Sequence, residues 1–220
     1  MTSGFGVLWD LDGTLADTNE FHFQSWMAVL PEYQIPFSRE SFQAVFGMNN
    51  VKTLAMLLGH TPAPELVAEI GGRKEHLFRE TIRGRLQALP GVHVWLERLQ
   101  AAGVRQAIAT SAPEANVDAM MDELNLRHYF DAIVPGADLP GKPDPAVFLK
   151  AARSINVPPE RCVVVEDAVA GVAAARRAGM KCVAVTTTNP AHALREQGAH
   201  VVVDRLDALP LDTFERLLAD

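Results

Sequence analysis

Cysteine is scarce in this sequence: Cys162 and Cys182 are the only two among 220 residues, and each borders an apolar run. A disulfide framework is thereby excluded as the basis of the fold, and both read as small buried thiols. Positive charge is also short. Lys and Arg number 20 against 27 Asp and Glu, a formal net charge of −7. That balance speaks against nucleic acid or an anionic membrane surface as partner, since both are met by a basic face. Apolar runs are brief, and none nears the roughly 18 residues that a spanning helix requires. No basic segment precedes the first apolar stretch, which Asp10 and Asp12 interrupt, so no secretory signal is read. The expectation is a soluble cytoplasmic protein, with no nucleic-acid or membrane partner, present as a monomer or weak homo-oligomer. The composition itself is that of an ordinary globular protein, 48% hydrophobic and 21% charged. A chain of this length buries roughly 70% of its unfolded surface without needing a disulfide or metal staple.

Short apolar runs recur at 7–9, 106–109, 132–134, 162–165, 182–185 and 201–203, with helix-length periodic segments such as 92–100, 116–124, 145–155 and 170–178 between them. Strand runs without polar alternation, interleaved with helices, predict an α/β fold built on a parallel sheet covered on both faces. One stretch breaks the alternation. Residues 17–88 carry helical periodicity and no strand, at 21–30, 39–46, 51–58 and 65–85. A parallel crossover needs far fewer residues, so 17–88 reads as an inserted helical domain, and 1–16 with 89–220 as the core. Within the insertion, Arg73, Lys74, Arg79, Arg83 and Arg85 recur at near-helical spacing among Glu75 and Glu80, the pattern of a solvated face with local ion pairs. Leu77 and Phe78 beside them read as core of the insertion.

Polar residues gather at the ends of the predicted strands. Asp10 and Asp12 follow the first run directly, in Asp10-Leu11-Asp12-Gly13-Thr14. They either form an Asx-type turn or present two carboxylates to one site beyond the carboxyl ends of the strands, where open parallel sheets bind ligands. Thr110-Ser111 follows the second run, Lys142 sits in a Gly141-Lys142-Pro143 loop after the third, and Glu166-Asp167 follows the fourth. Singly, each has a bland role as helix cap or solvated loop residue. Together they supply a nucleophile, a metal site, a hydroxyl and a cation. The chemistry that this set suits is phosphoryl transfer. A carboxylate attacks phosphorus to give an aspartyl phosphate, and positive charge must then be held close to the two anions. Oxygen ligands from Asp10, Asp167 and Glu166 suit Mg²⁺. Lys142 would lie on the transferring group while Thr110 and nearby N–H groups hydrogen-bond its oxygens. Asp12 would protonate the leaving oxygen and then deprotonate water.

In this order, Asp10-Leu-Asp12-Gly13-Thr14, Thr110-Ser111, Lys142-Pro143-Asp144-Pro145 and Glu166-Asp167-Ala-Val-Ala-Gly171 resemble the four motifs of the haloacid dehalogenase superfamily across essentially the whole chain. The resemblance implies a Rossmann-like core with an inserted helical cap that closes over the substrate, and dependence on Mg²⁺. It implies Asp10 as nucleophile and Asp12 as acid/base, with the metal on Asp10, the backbone carbonyl of Asp12 and Asp167, and Glu166 acting through water. Residues 17–22, with Trp26 four positions on, resemble the start of the cap in β-phosphoglucomutases and related sugar-phosphate phosphatases. There the histidine reaches back to the acid/base aspartate, so His22 would contact Asp12. The alternative is a histidine on the polar side of an amphipathic helix.

The mutase pattern departs at one place. A mutase holds a second phosphate with a cap arginine shortly after a glycine. Here Gly47-Met48-Asn49-Asn50-Val51-Lys52 has Asn50 at that position. A neutral amide cannot give bidentate charged recognition of a phosphate. Lys52 is nearby, Lys74 matches the family's cap lysine, and Asn49 and Asn50 suit sugar hydroxyls. The expectation is a phosphatase for a small phosphorylated sugar or related phosphomonoester. A β-phosphoglucomutase-like phosphotransferase is the alternative. A haloacid dehalogenase proper ranks behind both, because attack on carbon has no use for Asp12 or Glu166-Asp167, and a non-catalytic binding protein on the same fold ranks behind them as well.

Overall fold

The computed structural model describes residues 4–219. Six strands, β1 (Gly6–Trp9), β2 (Arg105–Thr110), β3 (Ala132–Pro135), β4 (Cys162–Glu166), β5 (Lys181–Val185) and β6 (Val201–Val203), form one sheet in the order β3-β2-β1-β4-β5-β6. Every neighbouring pair is parallel, and Trp9 is in register with Ile108 on one side and Val165 on the other. The helices are α1 (Asn19–Val29), α2 (Arg39–Val45), α3 (Asn50–Leu58), α4 (Pro64–Ile82), α5 (Val92–Ala101), α6 (Glu114–Leu124), α7 (Ala146–Ser154), α8 (Val169–Arg177), α9 (Ala191–Gln197) and α10 (Thr213–Ala219). Among the described residues, no helix is long and apolar enough to cross a membrane.

The absence of polar alternation in the strand runs has a direct cause. Successive side chains point to opposite faces, and both faces are covered. Val7, Trp9, Ile108, Val163, Val165 and Val183 meet Trp95 and Leu96 of α5, Met120 and Met121 of α6 and Phe214 of α10. Leu8, Ala107, Ala109, Cys162, Val164 and Cys182 meet Phe148 of α7, Val172 of α8 and Leu194 of α9. The two cysteines are free and buried in adjacent strands, and burial pushes the Cys162 thiol up to about 12. This is the α/β fold expected of a Rossmann-like sheet.

Helices α1 to α4 bury a cluster of their own around Trp26, Leu30, Phe42, Leu54 and Ile70. The chain leaves the sheet and returns at neighbouring points, because Ala16 pairs with Ala88 and the Leu89 N–H donates to the Leu15 carbonyl at 2.9 Å. Helix α4 spans both regions. Ile70 and Leu77 belong with the helical insertion, whereas Phe78 and Ile82 join the cluster of the sheet core. Phe78 therefore departs from the sequence expectation. A 3.6-residue period shows that a helix has an apolar face but not which partner that face meets.

Order β3-β2-β1-β4 places the reversal of winding direction between β1 and β4, the usual binding crevice of such sheets. The ends of β1, β2 and β4 lie side by side there.

Candidate active site

Asp10 follows β1 without a break in the ladder. Its N–H donates to the Val165 carbonyl at 3.0 Å, which holds the backbone while the carboxylate clears the sheet edge. Lys142 reaches the same point from the loop between β3 and α7. Its buried ammonium lies 2.6 Å from Asp10 Oδ1 and 2.6 Å from Glu166 Oε1. Burial alone would lower the ammonium pKa, but the two carboxylates hold it well above its ordinary value. Glu166 is fully engaged: Oε2 accepts from the N–H groups of Asp167 and Ala168 at 2.8 and 2.7 Å. The first turn of α8 leaves it room only because residue 171 is glycine, where a Cβ would collide with the Glu166 carboxylate.

Asp167 differs. Its Oδ1 accepts from the Thr14 hydroxyl at 3.1 Å, while Oδ2 is buried with no partner, alone in that respect among the described residues. Such an atom forfeits roughly 1–3 kcal/mol unless a ligand satisfies it. Gly13, at φ +78°, is the reason Oδ2 stays open, since a Cβ there would overlap it. Oxygens of Asp10, Glu166 and Asp167 lie within 4.8 Å of one another. Burial, then the neighbouring Glu166 and Asp10, drive the Asp167 carboxyl well above the usual range; burial likewise pushes Asp10 up to about 7, against the pull of Lys142. Hard oxygen donors sharing uncompensated negative charge fit a small divalent cation such as Mg²⁺. Asp10 and Asp167 carry the available oxygens. The Asp12 side chain is not in this cluster.

Asp12 faces the insertion instead. Its Oδ1 accepts from Thr18 Oγ1 at 2.7 Å and lies 2.9 Å from His22 Nε2. Burial works against its charge, yet His22 and Thr18 hold its carboxyl below the usual range. The His22 ring stacks on Phe78 at 4.0 Å with 3° between the planes, and its Nδ1 is 2.8 Å from Lys74 Nζ. Lys74 also donates to both oxygens of Glu75, at 3.0 and 3.1 Å. Both residues are buried, at 4% and 7% exposure, so this part of α4 is not the solvated face that its charge pattern suggested. Arg73 and Arg83 do form exposed pairs, with Glu32 and Glu80.

A cavity of about 620 Å³ lies between the insertion and the sheet edge, and Asp10, Asp12, Thr110, Ser111, Asn49 and Asn50 are among its lining residues. The buried Thr110 hydroxyl accepts from the Ala112 N–H at 3.1 Å. Asn49 caps α3, accepting from the Lys52 N–H at 3.1 Å. Asn50 lies over Gly71 of α4, where a Cβ would be 2.9 Å from its amide nitrogen. Lys52 does not line the cavity. Its ammonium donates to the carbonyls of Gly141 and Lys142, the latter at 3.0 Å. Its long stem lies across the Lys142 loop instead. Among the described residues the cations that do line the cavity are Lys74 and Arg79, and each donates to a protein acceptor.

Sequence reasoning missed Thr14, Thr18, Glu75 and Asn116. Thr18 and Thr14 give no signal beyond closeness to the first motif. Asn116 gave one: it shares the buried face of α6 with Val117, Met120, Met121 and Leu124, a polar residue on an apolar stripe.

Compared with known proteins, residues 7–185 match a family model described as haloacid dehalogenase-like hydrolase. A phosphorylated carbohydrates phosphatase of Thermotoga maritima is 30% identical over 200 residues, 90% of this chain and 93% of that one. A β-phosphoglucomutase of Bacillus subtilis is 32% identical over 216 residues, 94% of this chain and 92% of its own length. The crystal structure of CbbY from Rhodobacter sphaeroides, in complex with phosphate, superposes with a TM-score of 0.85 at 28% identity, covering 97% of this chain and 100% of that one.

Proposed function

Because the chain belongs to the haloacid dehalogenase-like hydrolases, we propose that it is a Mg²⁺-dependent phosphatase of small phosphorylated sugars or related phosphomonoesters, working through an aspartyl phosphate on Asp10. The observation that carries this reading is the Lys142 ammonium held 2.6 Å from Asp10, with the unpartnered Asp167 oxygen in the same buried cluster. A nucleophile, a fixed cation and an open metal ligand then meet where the cavity reaches the sheet edge.

The substrate phosphate would sit between Asp10, Lys142 and the Thr110-Ser111 step. An Asp10 oxygen attacks phosphorus, the ester P–O bond breaks, and Asp12 delivers its proton to the leaving alcohol. In the free protein Asp12 is held ionised by His22 and Thr18. An arriving phosphate anion raises its proton affinity, as a nearby like charge does. The ionised Asp12 left behind then takes a proton from water as that water attacks the phosphoryl group, and free phosphate departs with Asp10 regenerated. Lys142 compensates the charge that gathers on the transferring group. Bound at Asp10 and Asp167, Mg²⁺ would neutralise carboxylate and phosphate charge and polarise the P–O bonds.

Two observations favour a monophosphate over the bisphosphate handling of a mutase. Asn50 stands where a mutase carries its arginine, and the cavity-lining cations are both engaged by protein acceptors. The reading is tested with the purified protein, Mg²⁺ and a panel of sugar monophosphates, with and without a sugar bisphosphate. Phosphate release that is indifferent to bisphosphate and stopped by chelation is expected. Isomerised sugar phosphate that appears only with bisphosphate would establish the phosphotransferase instead.

A further inference from the structure

Asn116 stands on α6, outside the insertion, and lines the cavity; it is 1% exposed, and both ends of its amide bond side chains of α4. Its Nδ2 donates to Glu75 Oε2 at 2.6 Å, and its Oδ1 accepts from Arg79 Nη1 at 2.8 Å. Glu75 and Arg79 are one helical turn apart, so a single core side chain grips α4 at two points. From Glu75 a chain of contacts runs inward: Glu75 to Lys74, Lys74 to His22 Nδ1, and His22 Nε2 to Asp12 Oδ1.

The direction of this chain follows from its donors. An ammonium can only donate, so His22 Nδ1 accepts and the ring proton sits on Nε2, from where it donates to Asp12. Lys74 points at His22 because the Glu75 carboxylate holds its ammonium on both oxygens, and Glu75 is held in turn by the Asn116 amide. We propose that Asn116 and Glu75 are positioning residues for Asp12. They fix the donor that orients its carboxylate, and they do so only while α4 is seated against α6. The proposal rests on Asp12 being the acid and base of the phosphatase reading. It assigns a task to two cavity-lining residues to which the proposed reaction gives none.

The test separates the steps that need Asp12 from the one that does not. p-Nitrophenolate leaves without a proton, so phosphorylation of Asp10 by p-nitrophenyl phosphate does not need the acid. A hexose phosphate has an alcohol leaving group, which does need it, and hydrolysis of the aspartyl phosphate needs the base. Asn116→Ala is therefore expected to give a p-nitrophenol burst of wild-type rate followed by a slow steady phase. With hexose 6-phosphate, its kcat is expected to fall on the order of 10- to 100-fold with little change in KM, part of the ~10²–10⁴ that general acid–base catalysis contributes. Glu75→Gln, which keeps the shape, is expected to move the same way by a smaller factor, and it carries the test alone if melting curves show Asn116→Ala unfolded. A burst and a hexose phosphate rate that fall together, or that both stay at wild type, would overturn the proposal. Wild-type protein that releases phosphate from neither ester would overturn the phosphatase reading, and the positioning role with it.

Discussion

Lys142 stands between two buried carboxylates, and its charge is what lets both persist there. Taking it away leaves Asp10 and Glu166 facing each other without a counter-charge, and removing one member of a buried pair is far costlier than breaking a surface one. Lys142→Ala is expected to lower turnover on the order of 10²-fold or more and to lower the melting temperature; steady-state kinetics and thermal melts check both. Gly171→Ala is a subtler case, because it removes no chemical group. The added Cβ would strike the Glu166 carboxylate, displacing the partner that holds Lys142. Its kcat is expected to drop while the far-ultraviolet circular dichroism stays that of wild type; unchanged kcat would show that α8 gives way easily. At this scale the sequence was legible where polar residues interrupt strand runs, since Asp10, Thr110, Glu166 and Asp167 stand beyond apolar stretches. Thr14 and Thr18 were not. A hydroxyl beside a carboxylate looks the same in sequence whether or not it bonds to it.

Helix periods told of the inserted segment: α2 lies within its stretch, and α1, α3 and α4 overlap theirs but begin one or two residues earlier. What the period could not tell is which face of α4 meets the core. Lys74 and Glu75 fall among charges at near-helical spacing, the pattern of a solvated face; they are buried because α6 offers Asn116 and α1 offers His22. In the proposed phosphatase, the start of α3 is where the insertion would bear on substrate choice. Asn50 fits over Gly71 of α4 and lines the cavity. Replacing it with the longer, charged side chain in Asn50→Arg is expected to lower the inhibition constant of a sugar bisphosphate against monophosphate turnover. An unchanged constant would mean that position 50 does not face the second phosphate.

Across the whole molecule, the buried carboxylate cluster of Asp10, Glu166 and Asp167 ties stability to pH. In the metal-free protein Asp10 is pushed up to about 7 and Asp167 is pushed well above the usual range, each by burial first. A carboxyl whose pKa is higher folded than unfolded binds more protons in the folded state, so its contribution to stability is lost as pH rises from about 4 towards 7. The chelated protein is therefore expected to melt lower at pH 8 than at pH 6, and Mg²⁺ to raise the melting temperature more at pH 8. Asp167→Asn should flatten this dependence; an equal slope in the variant would place its cause elsewhere. Sheet, insertion and strand-end site were legible together because a parallel sheet brings residues 10, 110 and 166–167 to one edge from far apart in sequence. The proposed reaction turns on one covalent event at that edge. Acid-quenching the Mg²⁺-loaded protein during turnover of a sugar monophosphate, followed by mass spectrometry of its peptides, tests it directly. A phosphoryl group on Asp10, absent from Asp10→Asn, is the expected result; an Asp10→Asn variant that still releases phosphate at the wild-type rate would contradict it.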